Sequence, residues 1–265
     1  MKKIGMIAGG GNFPLEFAKA VKRQGDKIVV FAIIGLASEK LNDIADKIYW
    51  LNIGQFTKFT FLLLKERVRE LILLGKINKN VIYNEKIDKK AQDMMNTIKN
   101  NNDYSVLEAI TKKLKILGIK VTNGRGYLTG LLPARGCLTQ NLPEPSVQED
   151  ISFGYGIIKK IAGMDIGQTI IVKNKAVVAV EAMEGTNETI KRGKQIAGEG
   201  CVMVKVARPD QDMRWDVPVV GLETIAFLVE HGYKALAIES KKMYLIEKDQ
   251  FLQLADNAGI SVQVL

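Results

Sequence analysis

Residues 3–25 read KIGMIAGGGNFPLEFAKAVKRQG, and this stretch decides the fold class of the chain. Lys3 to Ala8 is a short, mainly apolar run, which is typical of a buried parallel strand. Apolar residues at three-residue spacing predict a helix after the glycines, namely Leu15, Ala18 and Val21. Lys27 to Ile34 has the composition of a second strand, so the chain opens with a βαβ unit and we expect an α/β fold.

The glycine loop between this strand and this helix, Gly9 to Asn12, has the composition of a phosphate site. Glycines let the backbone approach an anion closely, and the amides at a helix N-terminus face that anion. The dinucleotide fingerprint fails here, because Pro14 occupies the third-glycine position and no Asp or Glu ends the second strand. We therefore expect Gly10, Gly11 and Asn12 to bind a nucleotide or phosphate and not a redox cofactor.

The rest of the first half continues the α/β pattern. The predicted strands are Ile48 to Leu51, Glu70 to Leu74 and Ile119 to Thr122, and the predicted helices are Gln55 to Arg67, Lys89 to Asn100 and Ser105 to Leu117. The first of these helices carries more apolar side chains than one buried face needs. Core packing is the favoured explanation, although a site for acyl chains or a membrane surface would use the same surplus.

Periodicity lapses from Asn123 to Pro145, where glycines and prolines are frequent, and this span is the best candidate for a linker. We place an N-terminal domain with a parallel sheet at 1–130, the linker at 131–145 and a C-terminal domain at 146–265. The C-terminal domain is expected to be α/β with a mixed sheet.

Local signals inside the C-terminal domain support this expectation. Ser146 and Glu149 have the spacing of a capping box and predict the start of a helix that runs toward Ala162. Gln168 to Val172 and Ala176 to Ala182 predict a β-hairpin that turns at Asn174 and Lys175.

Positive charge is concentrated in the first half of the chain. The formal net charge is +9, and residues 1–145 hold 24 Lys+Arg against 13 Asp+Glu, while residues 146–265 hold 14 against 16. This asymmetry indicates an anionic partner for the first half. Nucleic acid is disfavoured, because the basic residues are scattered lysines without a recognisable binding motif. A phosphorylated ligand and an anionic membrane surface both fit.

Several functional classes are disfavoured by composition. No apolar run approaches the length of a membrane span or of a signal-peptide core, so we expect a cytoplasmic protein. Cys137 and Cys201 lie far apart without metal-ligand spacing and are expected to be free thiols. The single histidine, His231, stands at a predicted helix C-terminus, which argues against a Ser-His-Asp hydrolase and a histidine-ligated zinc site.

The acidic segment, Arg208 to Gly221, reads RPDQDMRWDVPVVG and is where we expect the chemistry. If this segment is extended, Asp212, Arg214 and Asp216 alternate onto one face. Two carboxylates on that face could hold a hard cation, and the guanidinium between them could hold a phosphate. A solvated, charged surface loop is the alternative. The apolar run around Pro218 favours an ordered segment.

With these motifs in place, the sequence resembles the LpxI family of UDP-2,3-diacylglucosamine pyrophosphatases along nearly its whole length. The resemblance rests on four blocks: IAGGGNFP at 7–14, LGK at 74–76, VEAMEGT at 180–186 and QDMRWDVP at 211–218. It implies a cytoplasmic, magnesium-assisted hydrolysis in the lipid A pathway that gives 2,3-diacylglucosamine 1-phosphate (lipid X) and UMP. It also implies two domains, the first of them Rossmann-like, with the lipid held between them.

The resemblance and the acidic chemistry together assign roles to individual residues. Asp216 and Asp212 are the candidate catalytic residues and leading ligands of Mg²⁺ or Mn²⁺, and Glu181 and Glu184 are second-rank ligands. Either glutamate could instead be structural, for example in an ion pair with Lys205 or Arg208. The candidate substrate-binding residues are Gly10, Gly11, Asn12, Gly75, Lys76, Thr186, Lys205 and Arg214. Asn187 departs from the acidic residue expected in many relatives.

Two other classes of function remain open at this point. A non-enzymatic carrier of nucleotide sugars or lipids would use the same basic half and would bind without turnover. A nucleotide-sugar transferase or dehydrogenase could use the βαβ start, although the failed fingerprint disfavours it. The expected partners are UDP-2,3-diacylglucosamine, its lipid product and an anionic inner-membrane surface, with no nucleic acid; a homodimer is compatible with all of these.

Overall fold

A computed structural model describes residues 1–76, 88–96, 103–215 and 217–265 of the chain. These residues form two compact units. The first unit comprises 1–128 together with 213–215, and the second comprises 129–212 and the described residues from 217 onward.

The first unit is built on a five-stranded, wholly parallel sheet. Its strands are β1 (Lys3–Ala8), β2 (Lys27–Ile33), β3 (Lys47–Leu51), β4 (Glu70–Leu74) and β5 (Lys120–Val121), in the order β3-β2-β1-β4-β5. The order reverses direction between β1 and β4. In open parallel sheets such a switch point leaves a crevice at the carboxyl ends of the two strands, where ligands bind.

Helices flank this sheet and close its core. They are α1 (Phe13–Arg23), α2 (Phe56–Lys65), α3 (Lys89–Met95), α4 (Asp103–Ile116) and α5 (Arg125–Leu128), with a 3₁₀ helix at Glu39–Asp43. Phe31 and Leu71 of the sheet pack with Leu63 of α2 and Leu114 of α4 in one buried cluster. The expected α/β class is therefore confirmed for this unit. Helix α2 buries Phe59, Leu62 and Leu63, whereas Phe61 and Leu64 of its apolar surplus are exposed, so core packing accounts for only part of that surplus.

The second unit contains a six-stranded mixed sheet. Its strands are β6 (Gly136–Cys137), β7 (Thr169–Lys173), β8 (Ala176–Val180), β9 (Val202–Lys205), β11 (Ala235–Ile238) and β13 (Ser261–Val264), in the order β6-β13-β11-β9-β7-β8. The central strands β9, β11 and β13 are parallel, whereas β6 and β7 are antiparallel to their neighbours. A separate parallel pair joins β10 (Val219–Val220) to β12 (Tyr244–Leu245). The prediction of a mixed sheet is confirmed.

Helices cover both faces of this mixed sheet. Helix α6 (Pro145–Gly163) packs on one face, where Val204 and Ala237 meet its Ile158. The other face contains Met203 and Leu236 and packs in a second cluster beneath α7 (Thr186–Ala197), α8 (Leu222–Glu230) and α9 (Lys248–Asn257). The alternation of buried side chains along each strand supplies both cores.

The start of α6 differs from the prediction. The helix begins at Pro145 with Glu144 as its N-cap, so Ser146 lies inside the first turn and the capping box is wrong. Proline suits the first helical position because its fixed φ is helical and it lacks an amide that would need a partner. Glu149 instead pairs with Lys175, Oε2 to Nζ 2.8 Å.

The predicted hairpin is confirmed, with β7 and β8 antiparallel around Asn174 and Lys175. Both turn residues are left-handed, with φ of 52° and 56°, as a two-residue turn between twisted strands requires. The carboxylate of Asp150 in α6 is buried and accepts both turn amides, at 2.9 Å from Asn174 N and 2.6 Å from Lys175 N.

Residues of the span proposed as a linker take part in secondary structure. The boundary between the units falls between Leu128 and Thr129. A 3₁₀ helix at Thr129–Leu131 follows, and β6 then pairs with β13. The buried hydroxyl of Thr139 accepts the Val262 amide at 2.9 Å, which ties this stretch to the second sheet.

Cys137 and Cys201 are free thiols, as expected. Cys201 is buried, and burial raises its pKa. Within the described parts of the chain, no helix has both the length and the hydropathy needed to cross a membrane.

Candidate functional site

The switch point of the first unit brings together two of the predicted sequence motifs. The glycine loop follows β1, and Gly75 and Lys76 follow β4. The amide of Gly10 donates to the carbonyl oxygen of Lys76 at 2.9 Å, and the amide of Lys76 donates to the carbonyl oxygen of Gly10 at 3.0 Å. The predicted binding residues Gly10, Gly75 and Lys76 therefore share one edge of the sheet.

Glycine is required at this edge because two stretches of backbone touch. A Cβ atom on Gly75 would lie 2.6 Å from the carbonyl carbon of Gly9, and the φ of Gly75 is 95°. The amides of Gly9, Gly10 and Lys76 are already used in backbone hydrogen bonds. Gly11 and Asn12 are the predicted residues that lie at the start of α1. Gly11 has a φ of 89° and open space around it. An anion bound at this edge would therefore meet the helix N-terminus.

In the second unit, a nearly buried ion pair lies at the end of β9. Lys205 Nζ is 3.6 Å from Glu181 Oε2, and each side chain is only 13% exposed. Lys205 also donates to the hydroxyls of Thr169 at 3.0 Å and Thr186 at 2.8 Å, and Thr186 donates to Glu181 Oε1 at 2.7 Å. The structure thus brings Glu181, Thr186 and Lys205 together, as three of the predicted site residues.

The ion pair determines the charge state of this cluster. Burial would raise the pKa of Glu181, but the Lys205 charge and hydrogen bonds from Thr169 and Thr186 hold it below its ordinary value. Glu181 is consequently ionised at neutral pH. From the sequence, an ion pair with Lys205 is a structural alternative for Glu181. The structure shows this ion pair.

A cleft of about 210 Å³ opens beside this ion pair. It is lined by Asp165, Ile166, Gly167, Gln168, Glu181, Ala182, Lys205 and Arg208. Arg208 forms an ion pair with the exposed carboxylate of Asp165. The cleft therefore has two cationic side chains on its wall, one of them nearly buried, and each of the two is paired with a carboxylate.

Gly167 allows the two loops that form this cleft to lie in close contact. A Cβ atom at this position would lie 1.8 Å from the carbonyl oxygen of Glu181, so every residue other than glycine would clash there. This close approach of the two backbone stretches explains why position 167 is a glycine.

Glu184 has a different environment from Glu181. Its Oε2 accepts the Ala182 amide at 3.1 Å, and its Oε1 forms an ion pair with Arg192 and accepts the Thr189 hydroxyl at 3.4 Å. Backbone amides, its own first, and Arg192 lower the pKa of Glu184. These contacts surround the start of α7, so Glu184 ties the loop to the helix that follows it.

Two hydrogen bonds to side chains hold the beginning of the acidic segment. Glu239 Oε2 accepts the Ala207 amide at 3.1 Å, and Gln211 Oε1 accepts the Arg208 amide at 2.9 Å. Asp210 is exposed and Asp212 is half-buried.

The expectation of an extended conformation from Asp212 onward is wrong, because Met213–Trp215 forms a turn. Trp215 packs against the apolar cluster of the first unit, to which residues 213–215 belong. The guanidinium carbon of Arg214 lies 4.5 Å from the Trp215 ring centroid, a cation–π contact. Asp216, the leading catalytic candidate, lies outside the described residues.

The donors available to a metal ion follow from these contacts. Among the described residues, no group of three or more His, Cys, Asp or Glu side chains is placed to hold a metal. Glu181 and Glu184 are engaged with Lys205 and Arg192. Asp212 is a third predicted ligand whose position is described, and it is half-buried.

Sequence reasoning missed two side chains that shape this region. Thr169 is fully buried at the start of β7, where nothing in a β-strand pattern distinguishes a hydroxyl that contacts a lysine. Glu239 directly follows the apolar strand β11 and is buried, and the sequence contains no signal of this burial.

Comparison with known proteins gives a consistent result over both units. The LpxI N-terminal domain model matches residues 3–131, and the LpxI C-terminal domain model matches residues 134–263. The UDP-2,3-diacylglucosamine pyrophosphatase LpxI of Caulobacter vibrioides is 25% identical over an alignment of 275 positions, which covers 99% of this chain and 97% of that protein.

Solved structures are similar only at a low level. The biotin carboxylase domain of the Hydrogenobacter thermophilus 2-oxoglutarate carboxylase is 11% identical with a TM-score of 0.29, and the match covers 73% of this chain and 41% of that one. Phosphoribosylglycinamide synthetase from Anaerococcus prevotii is 13% identical with a TM-score of 0.26, covering 72% and 43%. The chain thus spans less than half the length of either protein, and neither likeness carries an inference.

Proposed function

Because this chain belongs to the LpxI family, we propose that it is a UDP-2,3-diacylglucosamine pyrophosphatase of lipid A biosynthesis. Water would split the phosphoric anhydride, so that its oxygen forms a new bond to phosphorus while the bridging P–O bond breaks. The products would be 2,3-diacylglucosamine 1-phosphate and UMP. The observation that carries this proposal is the match of both LpxI domains, in order, along nearly the whole chain.

Cationic groups in the second unit support the proposal. Hydrolysis of an anhydride requires stabilisation of negative charge on the phosphoryl oxygens, and preorganised charges do this best in a site with little water. Lys205 is nearly buried and is oriented by two threonines and Glu181, so its ammonium group is fixed before a ligand arrives. We assign Lys205 to stabilisation of charge on the phosphoryl oxygens, and Thr186, whose only hydroxyl proton is donated to Glu181, to orientation of Lys205.

Arg214 is the second cationic candidate. A guanidinium group can bind two phosphate oxygens at once, and the stacking on Trp215 limits its rotamers. In the first unit, Gly11 and Asn12 at the start of α1 offer an anion the partial positive charge of a helix N-terminus.

The metal part of the proposal rests on donor chemistry. Mg²⁺ is commonly bound by one or two carboxylates together with substrate phosphates and waters, so Asp212 and Asp216 are sufficient protein ligands. Bound there, the ion would neutralise phosphoryl charge and lower the pKa of a water molecule. The contacts of Glu181 and Glu184 favour structural roles for these two residues.

The place of action follows from the substrate class. A diacylated sugar nucleotide resides at a membrane surface, and the basic first half of the chain is suited to anionic headgroups. We therefore place the protein in the cytoplasm, at the inner-membrane surface.

The test is a turnover assay with synthetic UDP-2,3-diacylglucosamine, Mg²⁺ and purified protein, followed by mass spectrometry of both products. We expect UMP and 2,3-diacylglucosamine 1-phosphate in equal amounts, in excess of the protein concentration. Binding of the substrate without product would indicate a carrier. Transfer or oxidation of the sugar with the anhydride intact would indicate another nucleotide-sugar enzyme.

A further inference from the structure

A second buried carboxylate lies at the same edge of the second unit's sheet as Lys205. Glu239 directly follows β11, and its side chain is only 9% exposed. Its Oε1 accepts Lys159 Nζ of α6 at 2.9 Å and Lys242 Nζ at 3.0 Å. Its Oε2 accepts the amide of Ala207 at 3.1 Å. Both carboxylate oxygens are therefore used, one by two cations and the other by the backbone that leads into the acidic segment.

Glu239 is held on a rigid part of the fold. Strands β9 and β11 are parallel neighbours, with Ile238 paired to Lys205, so Glu239 and Ala207 follow two central strands at the same end. Val206 and Ala207 are buried. Burial would raise the pKa of Glu239, but hydrogen bonds from Lys159, Lys242 and the Ala207 amide hold it below its ordinary value. The carboxylate is thus a fixed anion at neutral pH.

The contact with Ala207 holds the backbone directly before the acidic segment, next to Val206, whose amide donates to the carbonyl oxygen of Gln168 at 2.9 Å. The next amide, that of Arg208, is held by Gln211 within the segment itself, at 2.9 Å. Glu239 therefore provides an anchor from the sheet, whereas the Arg208–Gln211 contact only shapes the local turn. Asp212 follows this turn directly.

We propose that Glu239 is a positioning residue, whose carboxylate fixes the backbone at Ala207 and thereby orients Asp212 for hydrolysis. The inference rests on the proposed function of that segment. Glu239 makes no contact with the reacting atoms in this role. Loss of the anchor should misplace Asp212, and a displacement of about 1 Å in a catalytic group can lower a rate by roughly 100-fold.

The alternative is that Glu239 only stabilises the fold through its ion pairs. The two roles differ in what remains once the protein is folded. A stabilising residue changes the melting temperature and leaves the kcat of the folded molecules unchanged. A positioning residue lowers kcat with little change in KM, because it affects alignment in the transition state more than ground-state binding.

The experiment compares Glu239→Ala, which removes both contacts, with Glu239→Gln, which keeps an acceptor for the Ala207 amide. Glu199→Gln is the matched control, because Glu199 also pairs with a lysine, Lys194 at 2.8 Å, but is 77% exposed. Each variant is assayed for kcat and KM with UDP-2,3-diacylglucosamine. Hydrogen exchange of the amides from 207 to 212 is measured by mass spectrometry on the same samples.

We expect kcat to fall about 10- to 100-fold in Glu239→Ala and less in Glu239→Gln, with KM within about threefold and faster exchange at 207–212. The control should match the wild type. Unchanged kcat and exchange in folded Glu239→Ala would overturn the inference; if Glu239→Ala does not fold, Glu239→Leu, which also lacks an acceptor for the Ala207 amide but fills the buried space, takes its place and is judged in the same way. An inactive wild-type protein would instead contradict the proposed function, so the two failures are distinguishable.

Discussion

The two sheets present different chemistry at their carboxyl edges. At the edge of the first sheet, glycines and backbone hydrogen bonds dominate, and the loops after β1 and β4 are joined by the Gly10–Lys76 pair of bonds. At the edge of the second sheet, the ends of β9 and β11 carry the buried charges of Lys205 and Glu239. The first edge is shaped by how closely backbone can approach backbone, and the second by how charges are paired.

The difference suits the first edge to recognition of a ligand by its shape and the second edge to stabilisation of a ligand's charge. A change at the first edge acts through an added Cβ atom and should mainly alter packing and stability. A change at the second edge acts through an uncompensated charge, and it should alter both stability and the chemical step. Substitutions at the two edges can therefore be compared within one protein.

Removal of the divalent cation should have the largest effect, since charge stabilisation is assigned to the second edge and to the acidic segment. Excess EDTA should reduce hydrolysis of UDP-2,3-diacylglucosamine to the background rate, and added Mg²⁺ should restore it. The measurement is UMP release over time. Full activity in EDTA would show that protein charges are sufficient without a metal.

Asp216→Ala should have the second-largest effect. We expect kcat to fall by about 100-fold or more, while substrate binding is retained. Asp210→Ala is the matched control, because Asp210 lies in the same segment but is exposed, and we expect it to cost much less. Calorimetric binding and steady-state kinetics distinguish the two effects. If Asp216→Ala is active while Glu181→Ala or Glu184→Ala is inactive, the metal belongs to the loop at 181–187.

Lys205→Met should lower both activity and stability. It leaves the Glu181 carboxylate buried without its cation, which typically costs about 3 kcal/mol of the free energy of unfolding. The double variant Lys205→Met, Glu181→Gln should recover much of the melting temperature and none of the activity. Recovery of activity in the double variant would mean that Lys205 serves only to pair with Glu181.

Gly75→Ala tests the first edge. The added Cβ atom would clash with the Gly9 backbone, and the φ of 95° is strained for alanine, so we expect a loss of about 2–4 kcal/mol. Gly11→Ala is the control, because its φ is also positive but space around it is open, and it should cost only about 1 kcal/mol. Denaturant unfolding measures both. Equal losses would show that close backbone approach is not what requires glycine at position 75.

The smallest effect should be the pH dependence of the Glu181 contribution. The folded-state pKa of Glu181 is lowered, so its stabilising effect is present above its ordinary pKa of 4.5 and is lost as pH falls through the folded-state value. Glu181→Gln should melt a few degrees below the wild type at pH 7, since about 1 kcal/mol corresponds to roughly 4 °C. This difference should shrink below pH 4.5. A constant difference would mean that the carboxylate charge does not contribute.

Local patterns predicted the fold better than they predicted the site. The α/β class and the hairpin at Asn174 and Lys175 depend on periodicity and turn chemistry, which a short window of sequence contains. The capping box at Ser146 failed because the neighbouring Pro145 took the first helical position. Both outcomes were decided within a few residues.

The site depends on contacts that are distant in sequence. Glu181 meets Lys205 across 24 residues, and Glu239 meets Ala207 across 32. The turn before Asp216 could not be foreseen, because Trp215 packs against a core formed by residues of the first unit. Sequence reasoning could name Glu181 and Lys205 as candidates and suggest their ion pair, but it had no means to find Glu239.

The two hydrogen bonds that Asp150 accepts from the hairpin turn have a consequence for the order in which the second unit folds. Neither Asn174 nor Lys175 is glycine. Asparagine adopts a left-handed conformation readily, but for an ordinary residue such as Lys175 this conformation costs about 1–2 kcal/mol. The isolated hairpin would bear that strain alone, whereas the Asp150 carboxylate, which accepts hydrogen bonds from both turn amides, offsets it once α6 is in place. The turn should therefore close together with the docking of α6, and nucleation of this unit would couple a helix to a strand pair from the outset.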